Sequence, residues 1–249
     1  AEEMHERGWW WYDALVVGGD AYVDHPSFGT AVISRVLEAE GLRVAVLAQP
    51  DWHDAEAFRA MGRPRLGVFI GAGKLDSMVA HYTAAKRRRS EDFYSPGKRS
   101  GCRPDRAAIV YCNRAREAFG PDMPIILGSL EASLRRFAHY DYWDDSVRRA
   151  ILFDAPADLL VYGMGEAATI EIAHRLKKKQ SVRTMTDIPG TGYITRDPSV
   201  CKFDHITLPS FEDVRDDKRL YAEATRTEYA EHAPIRGRAM IQPCEGRYL

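Results

Sequence analysis

ALVVGGDAYVDHPSFG, residues 14–29, is the stretch from which the rest of the chain is read. Ala14 to Val17 is a short, mostly β-branched apolar run closed by Gly18 and Gly19, which predicts a buried strand. Asp20, Tyr22, Asp24 and His25 follow as a polar loop, and Pro26 suits the first turn of a helix. Ala31, Val32, Val36 and Leu37 give that helix an apolar face before Gly41 stops it. Strand, polar loop and helix make the first half of a βαβ unit. Ligands of open α/β sheets bind beyond the carboxyl ends of the strands. Recognition or chemistry is therefore expected in this loop.

The same grammar repeats downstream. Leu42–Ala48, Arg65–Ile70, Pro124–Leu127 and Ala157–Tyr162 read as four more strands. Helices are predicted over 54–61, 74–86, 107–119, 129–137, 146–153 and 167–178. Each strand runs into a marked loop: Asp51 after the second, Gly71 and Gly73 after the third, Gly128 and Glu131 after the fourth, Gly163, Gly165 and Glu166 after the fifth. In a parallel sheet these loops meet at one edge, where glycines admit close backbone approach and helix N-termini favour anions. Glu131 and Glu166 could equally satisfy free backbone N–H groups there. Trp9, Trp10 and Trp11 read as a cover for one end of the sheet. Residues 87–106 form a long basic loop, either a solvated insertion or a contact for an anionic ligand or partner. After Gln180 the alternation stops. Short strands at 190–195 and 205–208, a Ser210-capped helix to about 232 and a terminal hairpin (239–242 with 248–249) read as a connector.

Composition narrows the class. At 249 residues and 45% hydrophobic, the chain fits one large domain, or a domain plus a piece of another. A net charge of −1 gives no bulk drive toward nucleic acid or an anionic membrane, and no apolar run is long enough to span a bilayer. Cys102, Cys112, Cys201 and Cys244 match neither a disulfide framework nor a zinc pattern, so a reducing, cytoplasmic setting is expected. The start at Ala1 and the stop at Leu249 read as cut ends. GMGEAA, residues 163–168, fits the G-x-G-x-x-G/A dinucleotide pattern, but on the last strand and without the acidic partner about 20 residues on. It leaves a nicotinamide oxidoreductase as a minor alternative. His25, His53 and His139 show no metal-ligand spacing.

Several longer stretches carry a resemblance. GDAYVDHPSFGTAVISRVLEAEG, AQPDW, DSMVAHYTA, RPDRA, EASLRRFAHYDYWDDSVRRAILFDAPADLLVYGMGE and LPSFE are similar to the N-terminal half of YgiQ-type radical SAM proteins, from about Trp9 to the end of the chain. Three places depart from the family pattern: Ser129 stands where a second glycine is usual, Ala167 and Ala168 where Arg-Pro is usual, and Lys74 and Leu75 where Asn-Met is usual. The resemblance implies a Rossmann-like, doubly wound α/β domain over residues 1–180. Its mainly parallel five-stranded sheet would have the order 2-1-3-4-5, like cobalamin-binding-type domains. Residues 181–249 would be a mixed α/β connector toward a radical SAM barrel beyond this chain. It implies a [4Fe-4S] cluster and S-adenosylmethionine for that barrel and no cofactor here, since no cysteine spacing fits cluster ligation. Cobalamin stays an alternative, against which stands the mismatch of Asp24, His25 and Gly29 with D-x-H-x-x-G. The function so implied is an accessory domain that covers or feeds the barrel's active site. A partner-binding module that uses the basic loop is the alternative. Asp20, Asp24, His25, Gly128, Glu131, His139, Asp141, Gly163, Gly165 and Glu166 are the residues expected to face the substrate. The carboxylates would accept its hydrogen bonds, and His139, Tyr140 and Tyr142 would form a wall.

Overall fold

The computed structural model describes residues 2–233 and 236–249. Its strands are β1 (Ala14–Gly18), β2 (Val44–Ala48), β3 (Gly67–Gly71), β4 (Ile125–Gly128), β5 (His139–Asp141), β6 (Ser146–Arg148), β7 (Leu159–Val161), β8 (Thr191–Gly192), β9 (His205–Thr207), β10 (Ala239–Ile241), β11 (Pro243–Cys244) and β12 (Arg247–Tyr248). The α-helices are α1 (Glu2–Glu6), α2 (Gly29–Ala39), α3 (Glu56–Arg59), α4 (Ser77–His81), α5 (Ala107–Phe119), α6 (Ser129–Leu134), α7 (Glu166–Lys177), α8 (Phe211–Asp216) and α9 (Lys218–Ala230).

The central sheet has six strands in the order β2-β1-β3-β4-β7-β8. The first five are parallel and stand in the order expected from the sequence. The expectation of five strands is corrected: Thr191 and Gly192 of β8, from the stretch read as connector, pair antiparallel with Val161 and Leu160. Strand side chains alternate between two buried layers, as the two-residue period requires. Leu15, Val17, Val68, Ile70, Ile125 and Leu127 pack with Phe58 of α3, Tyr111 of α5 and Ala132 of α6. Val16, Phe69, Ile126, Leu159 and Val161 pack with Leu37 of α2 and Ile172 of α7. Burial on both faces explains why the strands read as continuous apolar runs.

Three helix predictions are corrected. The stretch 74–86 holds only the short α4, because His81 and the Tyr82 hydroxyl both bond the Asp105 carboxylate, at 2.6 and 2.7 Å, and turn the chain away. The stretch 146–153 is not a helix: β5 and β6 form an antiparallel hairpin followed by a single 3-10 turn at Ile151–Phe153. Asp141 makes the hairpin by accepting the amide hydrogens of Trp143 and Asp144. The Ser210-capped helix has its full capping box but breaks at Asp217, which caps a second helix, α9. At the other end of the chain β10 pairs in parallel with β9, and the terminal hairpin is β11 with β12. Helix α2 starts at Gly29, later than Pro26 suggested.

One close approach fixes the rim at the carboxyl ends of the strands. The Gly19 amide donates to the Gly71 carbonyl at 3.2 Å, and a Cβ on Gly19 would lie 1.9 Å from the Ala72 oxygen. Only glycine lets the loops after β1 and β3 touch in this way.

Candidate functional site

The crevice between β1 and β3, where the strand order reverses, is the place such a sheet offers to a ligand. Here the chain fills it. Arg103, from the basic insertion, is fully buried: its Nε and Nη2 donate to Asp92 at 3.0 Å each, and its Nη1 lies 2.7 Å from Oδ1 of Asp20. The other Asp20 oxygen accepts the Lys74 amide at 2.5 Å. Burial pushes the Asp20 carboxyl up, against the opposing pull of Arg103. Asp92 also takes the Ser95 hydroxyl at 3.0 Å, Gln49 reaches that hydroxyl at 2.7 Å, and the Ala21 amide donates to the Tyr94 carbonyl. The middle of the insertion is thus clamped over the ends of β1 and β2.

A second buried network lies beneath α6. Glu131 is completely buried, and its two oxygens accept the amides of Ser77, the first residue of α4, at 2.8 Å and of Ala108, in the first turn of α5, at 3.1 Å. One carboxylate therefore serves two helix N-termini. Burial and the neighbouring Asp76 push the Glu131 carboxyl up, with Arg135 opposing. Asp76 caps α4 and pairs with Arg135. Burial pushes Asp141 up, but Arg106 at 2.9 Å and two backbone amides outweigh it and hold this carboxyl below its usual range. His139 turns inward and donates from Nδ1 to the Phe137 carbonyl at 3.1 Å, and burial lowers its pKa to about 4. Tyr140 and Tyr142, expected to share a wall with it, stay exposed.

The remaining expected residues lie on the open rim. Asp24 is exposed and binds Arg35 through two hydrogen bonds, 3.2 and 2.5 Å. His25 is exposed and accepts the Ser27 amide at Nδ1, 3.1 Å, which places its proton on Nε2. Gly128 precedes α6, and Ser129 adopts φ +74°, a backbone state natural to the glycine usual there. Its Oγ accepts the Ala72 amide at 3.1 Å, which compensates that strain. Gly163 has φ +68° and donates its amide to the Ser133 hydroxyl at 3.2 Å, tying the β7–α7 loop to α6. A Cβ on Gly165 would strike Cγ1 of Val161 at 2.7 Å. Glu166 opens α7 half-exposed, with no hydrogen-bond or ion-pair partner among the described residues. Around these groups stand exposed apolar side chains: Met164 (90% exposed), Leu134 (59%), Leu130 and Tyr162.

Arg103, Asp92, Asp76, Arg135 and Arg106 were not among the residues expected at the site, although DSMVAHYTA, RPDRA and EASLRRFAHYDYW contain four of them. The thiols do not suit a cluster. Cys112 is pushed far up by burial and Cys244 up to about 12, and among the described residues no group of three His, Cys, Asp or Glu side chains could hold a metal ion. A cavity of about 290 Å³ lies at the opposite edge of the sheet, lined in part by Ala157, Asp158, Val182 and Tyr193, remote from the glycine-marked loops.

Two outcomes test these assignments. Arg103→Ala leaves two carboxylates buried without a cation and is expected to cost about 3–5 kcal/mol in urea unfolding. An unchanged midpoint contradicts the clamp. His139 binds protons less readily folded than unfolded, so its contribution to stability is complete above pH 6.5 and is lost as pH falls toward about 4. His139→Gln is expected to remove about 2 kcal/mol of the stability loss between pH 7 and 4.5. Identical pH profiles contradict the buried neutral imidazole.

The whole chain, residues 1–249, matches the family model described as Radical SAM N-terminal. A UPF0313 protein of Clostridium botulinum (strain 657 / Type Ba4) is 52% identical over 248 residues, and one of Clostridium perfringens (strain SM101 / Type A) is 51% identical over 248. Both matches take in 100% of this chain but 38% and 37% of the relative, so the chain spans less than two fifths of their length. The solved structure of the radical S-adenosylmethionine methyltransferase TsrM from Kitasatospora setae, with cobalamin and a [4Fe-4S] cluster bound, is similar over 75% of this chain and 27% of its own. That likeness has 20% identity and a TM-score of 0.44. The chain belongs to the Radical SAM N-terminal family, as its YgiQ-type motifs implied.

Proposed function

We propose that this chain is an accessory domain of a radical SAM enzyme. Its open rim seats against a downstream barrel and closes the mouth of that barrel's active site. The observation that carries this reading is the unequal rim. The β1–β3 crevice is filled by Arg103 and Asp92, whereas the β4–β7 side offers glycine backbone, a free Glu166 carboxylate and a patch of exposed apolar side chains. Met164 and Leu134, 90% and 59% exposed on the two elements that the Gly163–Ser133 bond joins, are apolar surface suited to meeting a second surface. The relatives supply the length for one, since more than three fifths of each lies outside the matched region.

In this reading the [4Fe-4S] cluster and S-adenosylmethionine belong to the region outside the chain, because the cysteines here are scattered and two are deeply buried. The chain's own groups orient and shield. Glu166, with the backbone of Gly163 and Gly165, faces the substrate, and the 22–29 loop with Asp24 and His25 flanks it. Asp20, Glu131 and Asp141 hold the loops in register rather than meeting the substrate. Rossmann-like, cobalamin-domain architecture agrees with the strand order, but the residues do not suit the corrin. The crevice is filled by Arg103 and Asp92, and Nδ1 of His25 is already engaged by the Ser27 amide. Among the described residues no helix is long and apolar enough to cross a membrane.

The test uses the longer protein. Leu134→Asp with Met164→Asp is expected to lower S-adenosylmethionine-dependent turnover about tenfold or more through lost positioning. Iron content of the longer protein should stay unchanged, as should the unfolding midpoint of the 249-residue chain alone, where both side chains are exposed. Full turnover in that variant contradicts the docking.

A further inference from the structure

The outer part of the basic insertion carries a strip of cations and aromatic rings that the proposed docking does not use. Isolated antiparallel bridges join Tyr82 to Arg88 and Glu91 to Arg99, so the insertion folds back along itself. At one end Lys86 donates to the Trp143 carbonyl at 3.2 Å, and its Nζ lies 4.9 Å from the centre of the exposed Tyr142 ring. In the middle Arg88 packs so closely on Gly101 that a Cβ there would come within 3.2 Å of Nη2. Arg99 reaches the same turn, its Nη2 3.8 Å from Sγ of Cys102. At the other end Lys98 Nζ lies 4.9 Å from the centre of the Phe93 ring, which is 73% exposed.

These cations are conspicuous for what they lack. The chain has 36 acidic against 35 basic side chains, and most buried or half-buried arginines are paired. Lys86, Arg87, Arg88, Lys98 and Arg99 have no carboxylate within 4.0 Å among the described residues. The acids close by in sequence are engaged elsewhere: Asp92 with Arg103, Asp105 with His81 and Tyr82, Asp144 with Arg106 and Arg148. The exposed Glu91 and, near Arg88, the part-exposed Asp105 oppose the strip. Arg88 and Arg99 reach neighbouring residues of the Gly101–Cys102 turn, and neither is within 4.0 Å of a carboxylate among the described residues, although Asp105 feels the Arg88 charge from farther off. The arginine fork matches phosphate oxygens. Exposed rings along a cationic track are what successive unpaired bases stack upon. An acidic or phosphorylated protein would meet the cations but leave Phe93 and Tyr142 without a flat partner.

We propose that the outer face of this insertion binds single-stranded nucleic acid, with phosphates along Lys86, Arg88, Arg99 and Lys98 and bases stacked on Phe93 and Tyr142. The net charge of −1 conceals this face because the compensating acids lie elsewhere.

The test is fluorescence anisotropy of labelled single-stranded RNA and DNA, about 20 nucleotides and of mixed sequence, with the longer protein over a series of salt concentrations. Four phosphate contacts give a slope of log affinity against log salt of about −2.8 for a single strand. The double variant R88Q/R99Q is expected to bind about tenfold more weakly and to flatten the slope by about 1.4. Phe93→Ala, at an exposed position, is expected to weaken binding about fivefold or more through lost stacking. Unchanged thermal midpoints for both variants establish that folding is intact. No binding at low salt overturns the proposal. Binding indifferent to Phe93→Ala, or equally strong for duplex and poly-glutamate competitors, overturns it in favour of a general polyanion surface.

Discussion

The β1–β3 end of the rim depends on one guanidinium. Arg103 has no contact with solvent and lies between two carboxylates from distant parts of the chain, Asp20 after β1 and Asp92 in the insertion. A buried charge pair gains little over apolar packing, but removing one member is costly, so such a group acts mainly as a specifier. What Arg103 specifies is where the insertion lies. With it in place, residues 92–95 and Arg103 lie over the β1–β3 crevice and fill it. The clamp also leaves the outward side chains of the insertion, among them Lys86, Phe93 and Lys98, exposed.

The β4–β7 side of the rim is built by the opposite logic. Glu131 absorbs the amide hydrogens of two helix starts below the surface. The surface above is left to glycine backbone, to Glu166 and to exposed apolar side chains. The Ser133 hydroxyl joins α6 to the loop before α7, so the exposed Leu134 and Met164 flank one junction of the two elements. Burial of such side chains against a second surface is favourable by about 25 cal/mol per Å² of apolar area, before the costs of ordering.

Much of the architecture was legible because its elements carry their own signals. Ala14–Val17, Val44–Ala48 and Ile125–Leu127 are apolar runs bounded by turn residues, and burial on two faces leaves them nothing else to be. What escaped was structure held from a distance. Strand β8 is two residues long and pairs only because β7 offers an edge. The spacing of Val147, Ile151 and Leu152 mimics a helix, but Asp141 turns that stretch into a hairpin. Helix α4 stops where Asp105, far along the insertion, takes its last side chains. The site shows the same division. A carboxylate beside glycines at a strand end looks alike in sequence whether it meets a ligand or a buried amide. Only the positions of Arg103, Ser77 and Ala108 separate the two roles, and these residues lie on other elements.

The most direct measure of the account is amide hydrogen exchange on the 249-residue chain alone and within the longer protein. Slower exchange in the longer protein at 129–134 and 162–168, with the 86–99 arms unchanged, is the predicted result. Equal exchange at 129–134 and 162–168 in the two samples would contradict the account, as would protection confined to the edge lined by Asp158 and Tyr193.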